Sequence, residues 1–324
     1  MAVAVAALIG VSALPAAADD EVGGTTAASR EPATVTVPVY TTSGMRALTG
    51  DAGSIDIQVG RSAPIRVAVD TGFTGLLLFP GAWAAAPGGV ALDKKATKLR
   101  GTDIRGFMGD ATLTISGVKS VNPVPFVYTT SDSPFFSALR STGVHGLLGI
   151  GLKGSNALTN PLASLPGDLG LRWSMHYSHD RSPRGSGEIV LGAVPPVSPT
   201  MAFQMPQNGN DVNGARLWND HAIPACWTFG RLPETCLPTT FDSEFTVLRA
   251  TGVSGRGLQT DADGDTRLGT PVKLAAPDSA FYGWSYRSGQ RASVNRTQVF
   301  KHGKGAVNTG NAVFFDFTVT YDSI

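Results

Sequence analysis

From residue 34 onward, apolar and polar positions alternate over short stretches broken by glycine and proline. Thr34-Val35-Thr36-Val37-Pro38-Val39-Tyr40 alternates, as do Ser54-Ile55-Asp56-Ile57-Gln58-Val59 and Ile65-Arg66-Val67-Ala68-Val69. Gly60-Arg61-Ser62-Ala63-Pro64 separates the last two. A period of two predicts half-buried strands, and a short Gly/Pro turn between two of them predicts a hairpin. Strand and turn signals continue through Ile115, and Gly187-Glu188-Ile189-Val190-Leu191-Gly192 predicts another strand. Helical periodicity is scarce; Asn160–Leu165 and Pro277–Trp284 are expected to supply short helices. The pattern is that of a mostly β protein.

The ends of the chain alter this picture first. Ala2 to Leu14 is an apolar run, and Ala16-Ala17-Ala18 before Asp19 offers small residues in an A-x-A pattern. This predicts an export signal over 1–18, although no Lys or Arg precedes the run. The polar stretch 19–33 reads as a flexible linker. An N-terminal β lobe is expected over 34–199. A C-terminal β lobe is expected over 200–324, where the chain turns polar and rich in Asn and Gly. At 324 residues there is room for two cores. Lys+Arg and Asp+Glu number 26 and 25, so no long-range field favours nucleic acid or an anionic membrane. Cys226 and Cys236 are the two cysteines. In an exported chain such a pair is expected as a disulfide, with Cα atoms about 4.4–6.8 Å apart. No metal is expected: His221 lacks a companion at ligand spacing. Asp261, Asp263 and Asp265 around Gly264 resemble a piece of a calcium loop, but Val272 stands where its terminal Glu belongs, so a hairpin tip is expected.

The chain also echoes itself. Val69-Asp70-Thr71-Gly72-Phe73-Thr74-Gly75-Leu76 lies in register with Phe241-Asp242-Ser243-Glu244-Phe245-Thr246-Val247-Leu248, matching Asp, Phe, Thr and Leu. A repeat of half the chain, with one Asp per copy, points to two lobes related by pseudo-twofold symmetry. Two carboxylates about 3 Å apart cannot both ionise cheaply, so they share a proton. The ionised one can take a proton from water while its neighbour polarises a carbonyl. A hydroxyl after each Asp, Thr71 or Ser243, can tie the two loops together. A following glycine lets backbone N–H groups approach the carboxylate. Each Asp could instead open an ordinary turn.

Asp70-Thr71-Gly72 resembles the D-[ST]-G signature of the pepsin-like aspartic proteases, and the hairpin before it is similar to that family's N-terminal lobe. Gly106–Ile115 resembles the strand after the family's flap. His145-Gly146-Leu147-Leu148-Gly149-Ile150-Gly151 resembles the segment beneath the first Asp loop. Arg172–Gly192 is similar to the end of the first lobe, and Gly310–Asp322 to the C-terminal strands. The resemblance implies a bilobal β fold and a secreted, monomeric endopeptidase. Asp70 and Asp242 would be catalytic and Thr71, Gly72 and Ser243 supporting. The substrate would be an extended peptide or unfolded protein, with no cofactor. Departures are equally plain. Glu244 replaces the second glycine, Phe73 and Phe245 replace small residues, and Thr309 replaces an apolar one. The flap would fall on Arg100-Gly101-Thr102, with Arg100 where the family carries Tyr. These departures keep open a pseudoprotease that binds peptides without cutting them, and an unrelated adhesion module is a third expectation.

Overall fold

The structure is a computed structural model. It describes residues 3–7, 34–42, 52–82, 90, 92–99, 104–130, 133–154, 158–182, 185–193, 201–210, 216–279, 283–289 and 295–324. Among these residues the strands form a ten-stranded, a seven-stranded, a six-stranded and a two-stranded sheet. The protein is mostly β, and its two largest sheets curl into half-barrels.

The expected hairpin pairs Ala52–Val59 with Ile65–Asp70. Its alternation buries Ile55, Ile57, Val59, Ile65, Val67 and Val69. Counting the hairpin strand Ala52–Val59, one five-strand arrangement occurs twice. In the ten-stranded sheet, Ile65–Asp70 lies parallel to Gly146–Ile150, which is antiparallel to Thr74–Leu78, itself parallel to Val124–Thr129. In the seven-stranded sheet, Ile223–Phe229 pairs antiparallel with Thr235–Thr240. That strand lies parallel to Ala306–Asn308, which is antiparallel to Leu248–Thr251, itself parallel to Thr297–Phe300. In each copy the chain leaves a strand, rounds an Asp loop and returns one strand away. The gap is filled by a strand from far downstream.

The six-stranded sheet carries Arg172–Ser182 antiparallel to both Gly185–Leu191 and Phe317–Asp322. Within the expected export signal, Val3–Ala7 forms a strand of this sheet, parallel to Phe317–Asp322 and to Met201–Ala202. The expected linker 19–33 lies outside the described residues.

The helices depart from expectation. Asn160–Leu165 holds a 3-10 turn, Pro161–Ser164, capped by the Asn160 side chain. The described part of Pro277–Trp284 is no helix: Asp278 takes φ 62°, a left-handed backbone that a right-handed helix cannot contain, and Trp284 begins a strand. An eight-residue helix, Pro134–Ser141, instead follows Ser133, whose hydroxyl accepts the Phe136 N–H, with proline at the first turn. It buries Phe136 and Leu139 against Phe79, Val144 and Leu147. The first part of Gly310–Asp322 is likewise a short helix, Ala312–Asp316, before the strand begins.

Cys226 and Cys236 are directly opposed partners on neighbouring antiparallel strands and are disulfide-bonded. Their Cα atoms are 3.8 Å apart, closer than the expected range. Replacing both by serine is expected to cost about 2–3 kcal/mol through the freed ten-residue loop, measured by denaturant unfolding. A loss under about 0.5 kcal/mol would show that the ladder alone holds the pair.

Candidate active site

Asp70 ends its strand, and Asp242 stands two residues beyond the end of the corresponding strand in the other sheet. The two loops meet. Thr71 N–H donates to Ser243 Oγ at 3.1 Å, and Ser243 N–H donates to Thr71 Oγ1 at 2.9 Å. Each hydroxyl then donates across to the other loop: Thr71 Oγ1 to the Phe241 carbonyl at 2.6 Å, Ser243 Oγ to the Val69 carbonyl at 2.9 Å. Val69 and Phe241 each precede an Asp, so the four bonds form a reciprocal latch. Both hydroxyl side chains are buried, while Asp70 and Asp242 keep partial exposure above them.

The carboxylates are held alike. Asp70 Oδ1 accepts the Gly72 N–H at 2.7 Å; Asp242 Oδ1 accepts the Glu244 and Phe245 N–H groups at 3.1 and 3.0 Å. Gly72 is where the two acids approach: a Cβ there would stand 2.7 Å from Asp242 Oδ2. Gly72 thus donates to one carboxylate while its bare Cα admits the other. Burial raises the pKa of Asp70 well above its ordinary 3.8, and the charge of Asp242 pushes it further.

Glu244, the departure from the signature, leaves the loop's hydrogen bonds in place. Its side chain turns inward and is 5% exposed, and neither carboxylate oxygen has a hydrogen-bond partner among the described residues. Burial raises its pKa well above 4.5, and Asp70 and Asp242 raise it further, which favours its neutral form. Beside it the Tyr177 hydroxyl donates to the Ser243 carbonyl at 3.4 Å and is itself pushed up by burial and by Glu244.

Three further residues complete the surroundings of the two loops, of which Asn308 and Asp220 escape the sequence patterns. Asn308 donates from Nδ2 to Asp242 Oδ2 at 2.6 Å. Thr309, the polar residue ahead of Gly310, accepts the Asp242 N–H at 3.4 Å. Asp220, 1% exposed, accepts the Leu152 N–H beneath the first loop. Its Oδ2 would stand 3.0 Å from a Cβ on Gly151, which packs on the Thr71 and Phe73 carbonyls. Burial raises its pKa, with nearby His221 pulling the other way. Phe73 packs on Gly149, while Phe245 lies 37% exposed beside Asp242.

The remaining expected positions divide. Arg100, Gly101 and Thr102 lie outside the described residues; the strands leading to them, Leu92–Lys98 and Arg105–Ala111, pair with Lys98 opposite Arg105. Asp261, Asp263 and Asp265 form a turn closed by the Thr260–Thr266 bridge. Asp261 Oδ1 accepts the N–H groups of Asp263 and Asp265, and Arg296 grips Asp265 at 2.7 and 3.0 Å. Compared with known proteins, the chain matches no family model and no curated relative.

Proposed function

We propose that the chain is a pepsin-like aspartic endopeptidase of two β lobes related by a pseudo-twofold axis, with Asp70 and Asp242 as its catalytic pair. The observation that carries this reading is the reciprocal Thr71–Ser243 latch beneath two carboxylates, each presented by the same five-strand arrangement. A latch with twofold hydrogen bonding holds two acids at fixed separation, which water-mediated amide hydrolysis requires. One carboxyl carries the proton and polarises the scissile carbonyl, and the other draws a proton from water. No covalent intermediate or cofactor enters the reading. The substrate is an extended peptide or unfolded protein lying across the loops beside Phe245.

Export is part of the proposal. It rests on the apolar run ahead of Ala16-Ala17-Ala18 and on the Cys226–Cys236 disulfide. Among the described residues no helix is long and apolar enough to cross a membrane.

A second reading, a peptide-binding pseudoprotease, is favoured by Glu244 alone, a third acid where the resemblance implies glycine. The test is cleavage of several denatured proteins across pH 3–7. Activity is expected to be highest in acid and to fall about 10²–10⁴-fold or more in Asp70→Asn and in Asp242→Asn. A folded wild type inert at every pH would favour the pseudoprotease.

A further inference from the structure

The two halves of the site differ in the strand that fills the gap beside each Asp loop. Along the strand beneath the first loop, Leu147 pairs with Ala68, two residues before Asp70. Along the corresponding strand of the other sheet, Asn308 pairs with Thr240, two residues before Asp242. Leu147 and Asn308 are therefore equivalents, and only Asn308 has a donor to offer. Its amide cannot be reversed, because the Gly310 N–H donates to Asn308 Oδ1 at 2.8 Å. That bond leaves Nδ2 as the atom facing Asp242 Oδ2, at 2.6 Å.

From this asymmetry we infer that Asn308 is a positioning residue that places the negative charge of the pair on Asp242 and the shared proton on Asp70. The inference rests on the protease reading for its chemistry but not for its charge assignment. A carboxylate offers about four lone-pair sites. Two backbone N–H groups take the sites on Asp242 Oδ1, and Asn308 takes one on Oδ2. Donors to a carboxylate favour its ionised form. The surroundings act the same way: burial, and the charges of Asp242 and Asp220, disfavour charge on Asp70, and Tyr177 and Tyr321 stay protonated nearby.

The roles follow. Water attacks the scissile carbonyl carbon while its O–H proton passes to the free site on Asp242 Oδ2. The proton of Asp70 passes to the carbonyl oxygen, giving a neutral gem-diol. The C–N bond then breaks as Asp242 returns its proton to the departing nitrogen. A gem-diol hydroxyl restores the proton to Asp70 as the new carboxyl forms.

The experiment is 13C NMR of protein labelled at the aspartate carboxyls, in acid where the pair holds one proton. Asp70→Asn and Asp242→Asn assign the two resonances. Asp70 is expected at the carboxylic-acid position and Asp242 at the carboxylate position. Asn308→Leu, matching Leu147, is expected to shrink or reverse that difference. It should also move the acid limb of any peptidase profile up by about one pH unit, since the base loses a charge-favouring hydrogen bond. A protonated Asp242 in the wild type overturns the inference without any variant, and so does an Asn308→Leu spectrum unchanged at both carboxyls. The protease reading fails separately: an inert protein with the expected spectrum keeps the charge assignment and loses the reaction.

Discussion

Thr71→Val is expected to cost about 1–3 kcal/mol of unfolding free energy, although the two side chains have nearly the same shape. The hydroxyl satisfies two buried backbone groups at once, accepting from Ser243 N–H and donating to the Phe241 carbonyl. Valine strands the Ser243 N–H, at about 1–3 kcal/mol, while the Phe241 carbonyl keeps the Tyr321 hydroxyl at 3.3 Å. Ser243→Ala strands the Thr71 N–H and the Val69 carbonyl by the same logic. The double variant should lose less than the sum, because the four bonds belong to one latch. Denaturant unfolding measures all three, with exposed Thr36→Val as a control expected within about 0.5 kcal/mol of wild type. A Thr71→Val loss matching that control would mean the loops are held by packing and not by the latch.

The second large effect is on pH. Glu244 and Asp70 both have folded-state pKa values raised above their ordinary 4.5 and 3.8. Below the ordinary values both groups are protonated in the folded and unfolded chain, and their contribution to stability is fully present. As pH rises past them, the unfolded chain releases protons that the folded chain keeps, so stability falls toward the raised folded values. The melting temperature is therefore expected to peak in acid and to decline through neutrality. Glu244→Gln keeps the shape and removes the charge. It should raise the melting temperature near neutral pH by about 2–4 °C or more and leave it nearly unchanged near pH 3. Scanning calorimetry from pH 3 to 8 checks both curves. A variant less stable than wild type at neutral pH would mean Glu244 is ionised and paired.

What the sequence makes legible is local. Alternation over Ser54–Val69 locates the hairpin because each residue's face follows from its neighbours. The two Asp motifs stand out because their residues are contiguous. The helix Pro134–Ser141 carries its own mark in Ser133-Pro134, a capping residue before a first-turn proline, and is overlooked only because it is short. Asn308 and Asp220 are of another kind. Each is a single polar residue whose meaning comes from strand register: Asn308 reaches a carboxylate 66 residues away and Asp220 an amide 68 residues away. No local pattern encodes such a pairing. The Glu244 side chain is similar, since no local pattern marks its burial.

The six-stranded sheet carries a consequence for how the chain is made. Arg172, whose strand sits in the middle of that sheet, bonds Asp322 from 150 residues away, and the Thr71–Ser243 latch spans 172. During synthesis the strand Arg172–Ser182 emerges long before its partner Phe317–Asp322. One edge of it stays unpaired, a template for other nascent chains. Closing such distant pairs is slow, so the vulnerable interval is long. A chain stopped at residue 310 keeps that edge open permanently and is expected to scatter light under conditions where the full chain stays clear. If it stays equally clear, the edge is protected by something other than its late partner.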